Sequence, residues 1–381
     1  RVRTFTPCSQ GKSCDWVEST DMYLQDGRWY ASNQLLPDGR QIVVGGRDVF
    51  TYEFIPPPVA AAGTGKTTYL PFLSDTNDAQ NDNLYPFLHL LPDGNLFIFA
   101  NRDSIIYDYR TSQVVKTLPR IPGEPRNYPS AGSSVMLPLT AANSFKRVEI
   151  LVCGGAQLYC FLNPSALPKA SQTCGRMVVS SRNPKWAMES MPVARTMGDM
   201  LFLANGEVLI INGAQNGCQG WGNAANPTLS PIVYSPSASS PEKRFITQAA
   251  TKIARVYHST ANLLPDGSVL VAGSNSHQFY TFSGSFPTEL RVEAFYPAYR
   301  DAQNDGDRPT ITTAPARVGY GSRFKVVVKL KNAPPQKMGV NLISSPFTTH
   351  SYSQGLRFLR LNVKSQVAVG DGSYALTVST P

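Results

Sequence analysis

The chain has 381 residues, of which 42% are hydrophobic, so it carries enough apolar sequence to bury a large core and is not a disordered protein. Lysine and arginine exceed aspartate and glutamate by 35 to 26, but the excess is scattered rather than gathered into basic tracts. A nucleic-acid partner therefore has little support. No apolar run approaches the roughly 18 residues of a membrane span, and the first residues, RVRTFTPCSQ, lack the apolar core of a signal peptide.

The composition predicts an all-β protein. Only 16% of the residues are charged, while 30 prolines and 29 glycines punctuate many short runs rich in valine, isoleucine, tyrosine and phenylalanine. Branched and aromatic residues favour strands, and proline and glycine favour the turns between them.

A strand-turn-strand unit recurs along the first three quarters of the chain. It is clearest in residues 28–46, where the turn Pro37-Asp38-Gly39 joins two strands and the second strand ends in the pair Gly45-Gly46. The same turn returns as Pro92-Asp93-Gly94 and Pro265-Asp266-Gly267, and as Asn205-Gly206, with a looser copy in residues 133–155. Turns spaced roughly 45 to 65 residues apart predict the blades of a kelch-type β-propeller.

The glycine-pair pattern stops before the C-terminal quarter. We therefore predict a propeller in residues 1–288 and a second domain in residues 289–381. Five strand-like runs in the second region, with turn signals between them, predict a small immunoglobulin-like β-sandwich.

The six cysteines are even in number, which is compatible with disulfides and secretion. Cys8 and Cys14 would close a short loop, and we predict that they pair. We also predict a pair between Cys160 and Cys174 and a buried free thiol at Cys153, and we leave Cys218 unassigned.

The repeat register selects candidate site residues. The first strand of each propeller blade lines the central axis, so the residues eight positions before each turn should gather at one mouth of the channel. These positions hold Tyr30, Tyr85, Met197 and His258. Neighbouring strand residues point to opposite faces, so Tyr257 and His258 can serve one site only at a strand start or a bulge. The alternative is that these aromatic residues only fill the channel.

Histidine is scarce, with four in the chain. His350 lies in a long polar loop of the second region, which could reach the propeller. His89 is out of register and is predicted to be structural, and His277 is predicted to lie at the surface. Two imidazoles, from His258 and His350, and two phenolates, from Tyr30 and Tyr257, form a nitrogen and oxygen set suited to Cu(II) and poorly suited to zinc or calcium.

These features together resemble the copper-radical oxidases, galactose oxidase and glyoxal oxidase, over nearly the whole chain. The likeness is closer to the plant glyoxal-oxidase-like proteins, which are aldehyde oxidases. It is carried by the segments Cys14-Asp15-Trp16-Val17-Glu18, Arg28-Trp29-Tyr30-Ala31, Asn83-Leu84-Tyr85-Pro86-Phe87, Trp186-Ala187-Met188-Glu189 and Met197-Gly198-Asp199-Met200. The resemblance implies a seven-bladed propeller. This chain shows five clear repeats, and we expect the propeller to be incomplete at the N-terminal side.

The resemblance also implies roles for four residues. His258 and His350 would be equatorial copper ligands, Tyr30 the equatorial phenolate that becomes a radical, and Tyr257 the axial phenolate that accepts a substrate proton. The implied reaction is the two-electron oxidation of an aldehyde, a primary alcohol or a carbohydrate, in which O2 is reduced to H2O2.

The sequence departs from the family in two respects. The tryptophan that stacks on the radical tyrosine of galactose oxidase would fall on Asp48. The family's tyrosine also carries a thioether to an upstream cysteine, and Cys8 and Cys14 are too near to Tyr30 in sequence to supply it. We therefore expect the cross-linking cysteine to lie outside this chain, on a separate N-terminal fragment, or this polypeptide alone to release negligible peroxide.

An alternative function is a catalytically silent kelch protein that binds cell-wall carbohydrate. The net charge of +9 would suit an acidic cell-wall polysaccharide. Either function predicts a secreted protein of the extracellular space or cell wall.

Overall fold

The computed structural model describes residues 2–9, 11–56, 66–334 and 336–381. It is almost entirely β-structure, as the composition predicted, with one short α-helix, α1 (Pro71–Asp75), and a few 3-10 turns in the described ranges. No helix in these ranges combines the length and the apolar composition needed to cross a membrane.

The strands form a short hairpin followed by five antiparallel sheets, which we call blades one to five. The hairpin pairs β1 (Arg3–Phe5) with β2 (Trp16–Glu18). Blade one contains β3 (Ser32–Leu35), β4 (Gln41–Val44), β5 (Thr51–Ile55) and β6 (Thr68–Tyr69), and blade two contains β7 (Phe87–Leu90), β8 (Leu96–Ala100), β9 (Asp103–Asp108) and β10 (Gln113–Leu118).

Blades three to five continue in chain order. Blade three contains β11 (Gly132–Met136), β13 (Glu149–Gly154), β14 (Thr173–Val178) and β15 (Trp186–Ser190), with β12 (Leu139–Thr140) leaving the sheet. Blade four contains β16 (Asp199–Phe202), β17 (Val208–Ile211), β20 (Ile232–Tyr234) and β21 (Phe245–Thr247), and carries a side hairpin of β18 (Ala214–Gly217) and β19 (Ala224–Pro227). Blade five contains β22 (Ser259–Leu263), β23 (Val269–Gly273) and β24 (Glu293–Phe295).

The blades stand side by side in propeller fashion. The first strand of each blade contacts the first strand of the next, from β3 through β7, β11 and β16 to β22. Apolar side chains fill the spaces between neighbouring blades, so each sheet is buried mainly against its neighbours. The kelch-type arrangement was predicted from the repeats, and the number of seven blades stays a prediction.

The turn that defines the repeat joins the first two strands of a blade. Gly39, Gly94, Gly206 and Gly267 occupy its last position with φ between 84° and 90°. That backbone region is strained for residues with a side chain, which explains why glycine recurs there.

A buried arginine fastens the start of the first strand to the end of the second strand in four blades. Arg28 donates to the carbonyl of Gly45 at 2.8 Å, and Arg255 donates to that of Gly273 at 2.7 Å. Arg126 and Arg195 make the same contact with Gly154 and Asn212 in blades three and four. These four side chains, the arginine clamps, satisfy carbonyls that the ladder leaves open.

The C-terminal region forms a four-stranded sheet and two smaller pieces. The strands are β25 (Thr310–Thr313), β26 (Arg323–Lys329), β27 (Asn341–Ile343), β28 (Phe347–Thr349), β29 (Tyr352–Gln354), β30 (Phe358–Arg360), β31 (Asn362–Gly370) and β32 (Ser373–Ser379). The larger sheet has the order β25-β26-β32-β31, while β30 lies between β27 and β12 of blade three. The two regions therefore share a sheet.

The division of the chain between residues 288 and 289 stays a prediction. Strand β24 pairs with β23 inside blade five, at Val269 with Phe295 and Val271 with Glu293. This pairing favours a boundary a few residues later.

The disulfides partly correct the sequence prediction. Cys8 pairs with Cys14 as predicted, but Cys153 is not free, because it bonds Cys174 directly across strands β13 and β14. The predicted pair of Cys160 with Cys174 is therefore wrong, and Cys160 bonds Cys218 instead. No free cysteine remains.

Candidate metal centre

The repeat positions share one unusual backbone conformation. A residue one or two positions before each first strand lies in the left-handed region, with φ values of 67° at Tyr30, 48° at Tyr85, 49° at Ala131, 57° at Met197 and 64° at His258. Side chains other than glycine adopt this region rarely. The chain therefore turns sharply at the start of every first strand, at the same end of the five blades.

The position of this turn explains how Tyr257 and His258 can face one site. Strand β22 begins at Ser259, so both residues precede the alternating part of the strand. Their rings stack with centroids 3.8 Å apart. Adjacent residues therefore reach the same cluster, as the sequence analysis required.

The second region contributes the hairpin of β28 and β29. Thr349 and Tyr352 pair across it, leaving His350 and Ser351 as a two-residue turn with φ values of 48° and 67°. Positive φ at both central positions defines a type I′ turn, the form that best matches strand twist. His350 thus sits at the tip of a tight hairpin rather than in the loose loop that its polar sequence suggested.

The hairpin lies along the first strands of the blades. Strand β29 contacts those of blades one to four, and β28 contacts that of blade five. The hydroxyl of Tyr352 accepts from the amide of Leu88 at 2.6 Å and donates to the carbonyl of the same residue at 3.0 Å. The amide of Asn33 donates to the side chain of Gln354 at 2.6 Å. These bonds fix the hairpin against blades one and two.

The structure brings together the four side chains named from the sequence. The His350 ring lies 5.0 Å from that of His258, 5.4 Å from that of Tyr257 and 5.5 Å from that of Tyr30, measured between centroids. The other two histidines lie elsewhere. His89 is buried and its Nε2 lies 2.8 Å from the hydroxyl of Ser134, while His277, predicted at the surface, is half-buried with Nε2 3.0 Å from the Phe286 carbonyl.

Two further tyrosines belong to the cluster. Tyr85 stacks on His350, with its hydroxyl 3.1 Å from Nδ1. Tyr128 stacks on Tyr30 at 4.4 Å, and its hydroxyl lies 3.4 Å from the hydroxyls of both Tyr30 and Tyr257. The stacking ring on Tyr30 therefore comes from Tyr128. The position at which galactose oxidase has its stacking tryptophan holds the exposed Asp48 in this chain.

Both cluster imidazoles have Nδ1 engaged and Nε2 available. The Nδ1 of His258 lies 2.9 Å from the carbonyl of Asn275, which can only accept, so Nδ1 carries the proton. The Nδ1 of His350 lies 2.7 Å from the hydroxyl of Thr349. Burial lowers the pKa of His258, and burial together with the nearby His258 lowers the pKa of His350 to about 3. Both rings are therefore neutral, as metal ligands must be.

The phenols of Tyr85, Tyr128 and Tyr257 are protonated in the metal-free chain. Burial raises the pKa of Tyr85 to about 12, and burial raises the pKa of Tyr128 and Tyr257 above that of a free phenol. Loss of water from around a phenolate disfavours the charged form. Binding a cation through these oxygens would therefore release protons.

The donor set fits copper. Among the described residues, no three histidine, cysteine, aspartate or glutamate side chains come together as a metal site. A metal here would have to use phenol oxygens beside the two imidazoles, and a set of two nitrogens and two oxygens suits Cu(II).

The chain is similar to plant aldehyde oxidases along its full length. It is 48% identical to "Aldehyde oxidase GLOX" of Vitis pseudoreticulata over 381 residues, covering all of this chain and 71% of that protein. It is 40% identical to "Aldehyde oxidase GLOX1" of Arabidopsis thaliana, covering 97% of this chain and 61% of that protein. A galactose oxidase of Gibberella zeae is 27% identical over 52% of this chain and 27% of its own length.

A solved fungal alcohol oxidase of the AA5 family, in complex with copper, has the same fold. It superposes with a TM-score of 0.57 at 16% identity, covering 94% of this chain and 80% of that one. Family models match two segments: residues 1–299 match the glyoxal oxidase N-terminus, and residues 308–381 match the galactose oxidase-like Early set domain. The chain therefore belongs to the glyoxal oxidase family.

Proposed function

We propose that this protein is a copper-radical oxidase that oxidises aldehydes or primary alcohols and reduces O2 to H2O2. The observation that carries the proposal is the convergence of two neutral imidazoles and a set of phenols at one mouth of the propeller. The similarity to proteins named aldehyde oxidases supports the same reaction.

The residues that would hold copper are His258 and His350, through Nε2, and Tyr30 and Tyr257, through the phenol oxygens. When bound, the copper supplies one of the two electron-accepting groups, and the oxidised phenol of Tyr30 supplies the other. For an aldehyde, the hydrate loses two electrons and two protons to O2, which gives a carboxylic acid and H2O2.

The protein positions its phenols for different tasks. We assign Tyr257 as the acceptor of the substrate's hydroxyl proton. The hydroxyl of Tyr257 lies 3.4 Å from that of Tyr128, which in turn lies 3.4 Å from that of Tyr30. A proton on Tyr257 can therefore be hydrogen-bonded to Tyr128. The stacked ring of Tyr128 shields one face of Tyr30 from water.

A thioether on Tyr30 would need a cysteine from outside this sequence. All six cysteines of the chain are joined in disulfides. We expect the unmodified Tyr30 to hold copper yet turn over poorly, because a phenol without the electron-donating sulfur is harder to oxidise.

We further propose that the protein acts outside the cell. Three disulfides persist best in an oxidising compartment. The net charge of +9 would favour contact with acidic cell-wall polysaccharide.

The test measures copper and peroxide on the same samples. We expect the purified protein to bind one copper ion by elemental analysis, with protons released on binding. His350→Ala should lower copper affinity at least 100-fold, because it removes a ligand, whereas His277→Ala should not. Copper-loaded protein is then assayed for peroxide, and peptide mapping reports whether Tyr30 carries a cross-link. Failure to bind copper would favour the silent carbohydrate-binding alternative.

A further inference from the structure

Two exposed indole rings flank the phenols. Trp29 is 65% exposed and its ring lies 5.5 Å from that of Tyr30. Trp221 is 50% exposed, with its ring edge-on to Tyr257 at 6.1 Å and to His258 at 6.4 Å. Large apolar rings that stay in contact with water beside a cluster of reactive groups indicate a surface that a ligand covers.

A third ring lies beside Tyr128. Phe161 is 36% exposed and packs over the backbone of Gly220. A side chain at Gly220 would come within 2.8 Å of the Phe161 ring and 3.5 Å of the Tyr128 hydroxyl, so the ring lies next to the phenols. We call Trp29, Phe161 and Trp221 the aromatic rim.

A disulfide holds two members of the rim in place. Cys160 immediately precedes Phe161, and Cys218 lies in the same loop as Trp221, between β18 and β19. The bond between the two cysteines joins these loops. The amide of Gly217 also donates to the carbonyl of Pro168 at 2.7 Å. The loops of Phe161 and Trp221 are therefore held before any ligand arrives, which lowers the entropy lost on binding.

The chemistry of the rim selects a flat apolar ligand. Aromatic side chains bind other rings by offset or edge-to-face contact. Exposed aromatic rings can also pack on the apolar faces of sugars, but the three rim side chains offer only the two indole N–H donors to a sugar's hydroxyl groups. A two-carbon aldehyde has no ring to pack against an indole.

We propose that the aromatic rim selects aldehydes and primary alcohols that are attached to an aromatic ring. This inference rests on the oxidase function proposed above. An aryl aldehyde hydrate would lose two electrons and two protons to O2, giving the aryl carboxylic acid and H2O2. The aryl group would lie against an indole of the rim while the reacting carbon faces Tyr257.

The first arm of the test measures binding without copper. Benzyl alcohol and galactose are compared on the metal-free protein by saturation-transfer NMR. We expect benzyl alcohol to bind at least tenfold more tightly, and Trp221→Leu and Trp29→Leu each to weaken its binding at least fivefold. Trp16→Leu is the matched control, because Trp16 is also exposed but packs on Phe5 in the first hairpin. Equal binding of the two compounds, or an equal loss in Trp16→Leu, would overturn the proposal.

The second arm measures selectivity on the copper-loaded protein. We expect kcat/KM for benzaldehyde to exceed that for glyoxal, and the ratio of the two to fall at least tenfold in Trp221→Leu. If the protein binds no copper, the oxidase proposal is wrong. The binding measurement on the metal-free protein then still tests whether the rim binds aromatic compounds. An active oxidase that prefers glyoxal and does not bind benzyl alcohol would overturn the rim proposal alone.

Discussion

The candidate metal centre is assembled from two regions that both place its residues at left-handed backbone positions but hold these positions by different contacts. The blades present Tyr30 and His258 at left-handed positions before their first strands, and the β28–β29 hairpin presents His350 at a left-handed position in its turn. In the blades, buried arginine clamps hold the strand starts. The hairpin is held by the hydroxyl of Tyr352, which bonds the backbone of Leu88 in blade two.

This difference separates stability from site geometry. Each clamp lies inside a blade that packs on its neighbours, so its loss should weaken the whole fold. The hairpin is a single element held at few points, so its loss should disturb the metal centre more than the blades.

The largest effect is expected for a clamp. Arg195→Met removes the donors to the carbonyls of the buried Asn212 and the half-buried Ser230. We expect the free energy of unfolding to fall by about 2 to 5 kcal/mol, measured by chemical denaturation. The exposed Arg182→Met is the control, with a change within about 0.5 kcal/mol. A loss below about 1 kcal/mol would mean that the clamps do not hold the blades.

Acid sensitivity should arise in a blade at His89. Burial, with a smaller effect from Arg357, lowers the pKa of His89 from 6.5 to about 3. Between these values the unfolded chain binds a proton that the folded chain does not, so stability is lost as pH falls. His89→Gln removes the part of this dependence that His89 contributes, while the part from His258 and His350 remains. The wild type should lose up to about 3 kcal/mol relative to the variant between pH 7 and pH 4, and parallel unfolding curves against pH would exclude the effect.

The hairpin's anchor should affect both stability and metal. Tyr352→Phe leaves the amide and carbonyl of Leu88 unpaired in the core, at a cost of about 1 to 3 kcal/mol. Because His350 then loses its support, we expect copper affinity to fall about tenfold, measured by competition with a chelator. Tyr69→Phe, an exposed phenol in β6, serves as the control. Unchanged copper affinity with lowered stability would show that the hairpin is held elsewhere.

The smallest effect is expected at the turn itself. Ser351 has a φ of 67°, which a β-branched side chain adopts only with strain. Ser351→Val should lower the free energy of unfolding by about 1 to 2 kcal/mol, whereas Ser351→Gly should leave it nearly unchanged. The comparison is sharpest if Ser351→Val weakens copper binding more than Ser351→Gly does. If both variants bind copper equally, turn geometry does not control His350.

The sequence led to the cluster because its members follow simple rules. Tyr30 and His258 lie at equal distances before their turns, and His350 is one of four histidines. Tyr85 was in register too, but its contact with His350 depends on the inserted hairpin. Tyr128 lies before the looser repeat of residues 133–155, so no repeat pattern marks it.

Other features needed the folded chain. The pairing of Cys153 with Cys174 depends on the register of β13 and β14, which the sequence does not reveal. The parallel pairing of β12 with β30 joins residues from the two regions. The arginine clamps, by contrast, could have been found from the sequence, because Arg28, Arg195 and Arg255 each stand two or three residues before a register position.

The anchor at Tyr352 also bears on how the protein folds. Its partner, Leu88, is 264 residues away in sequence, so the bond closes a very long loop. Contacts of such separation form slowly, because the loop entropy is lost before the contact is gained. We therefore expect His350 to reach the phenols only after the blades are built, so that a chain still being synthesised would have no complete centre able to capture copper or oxidise its own tyrosines.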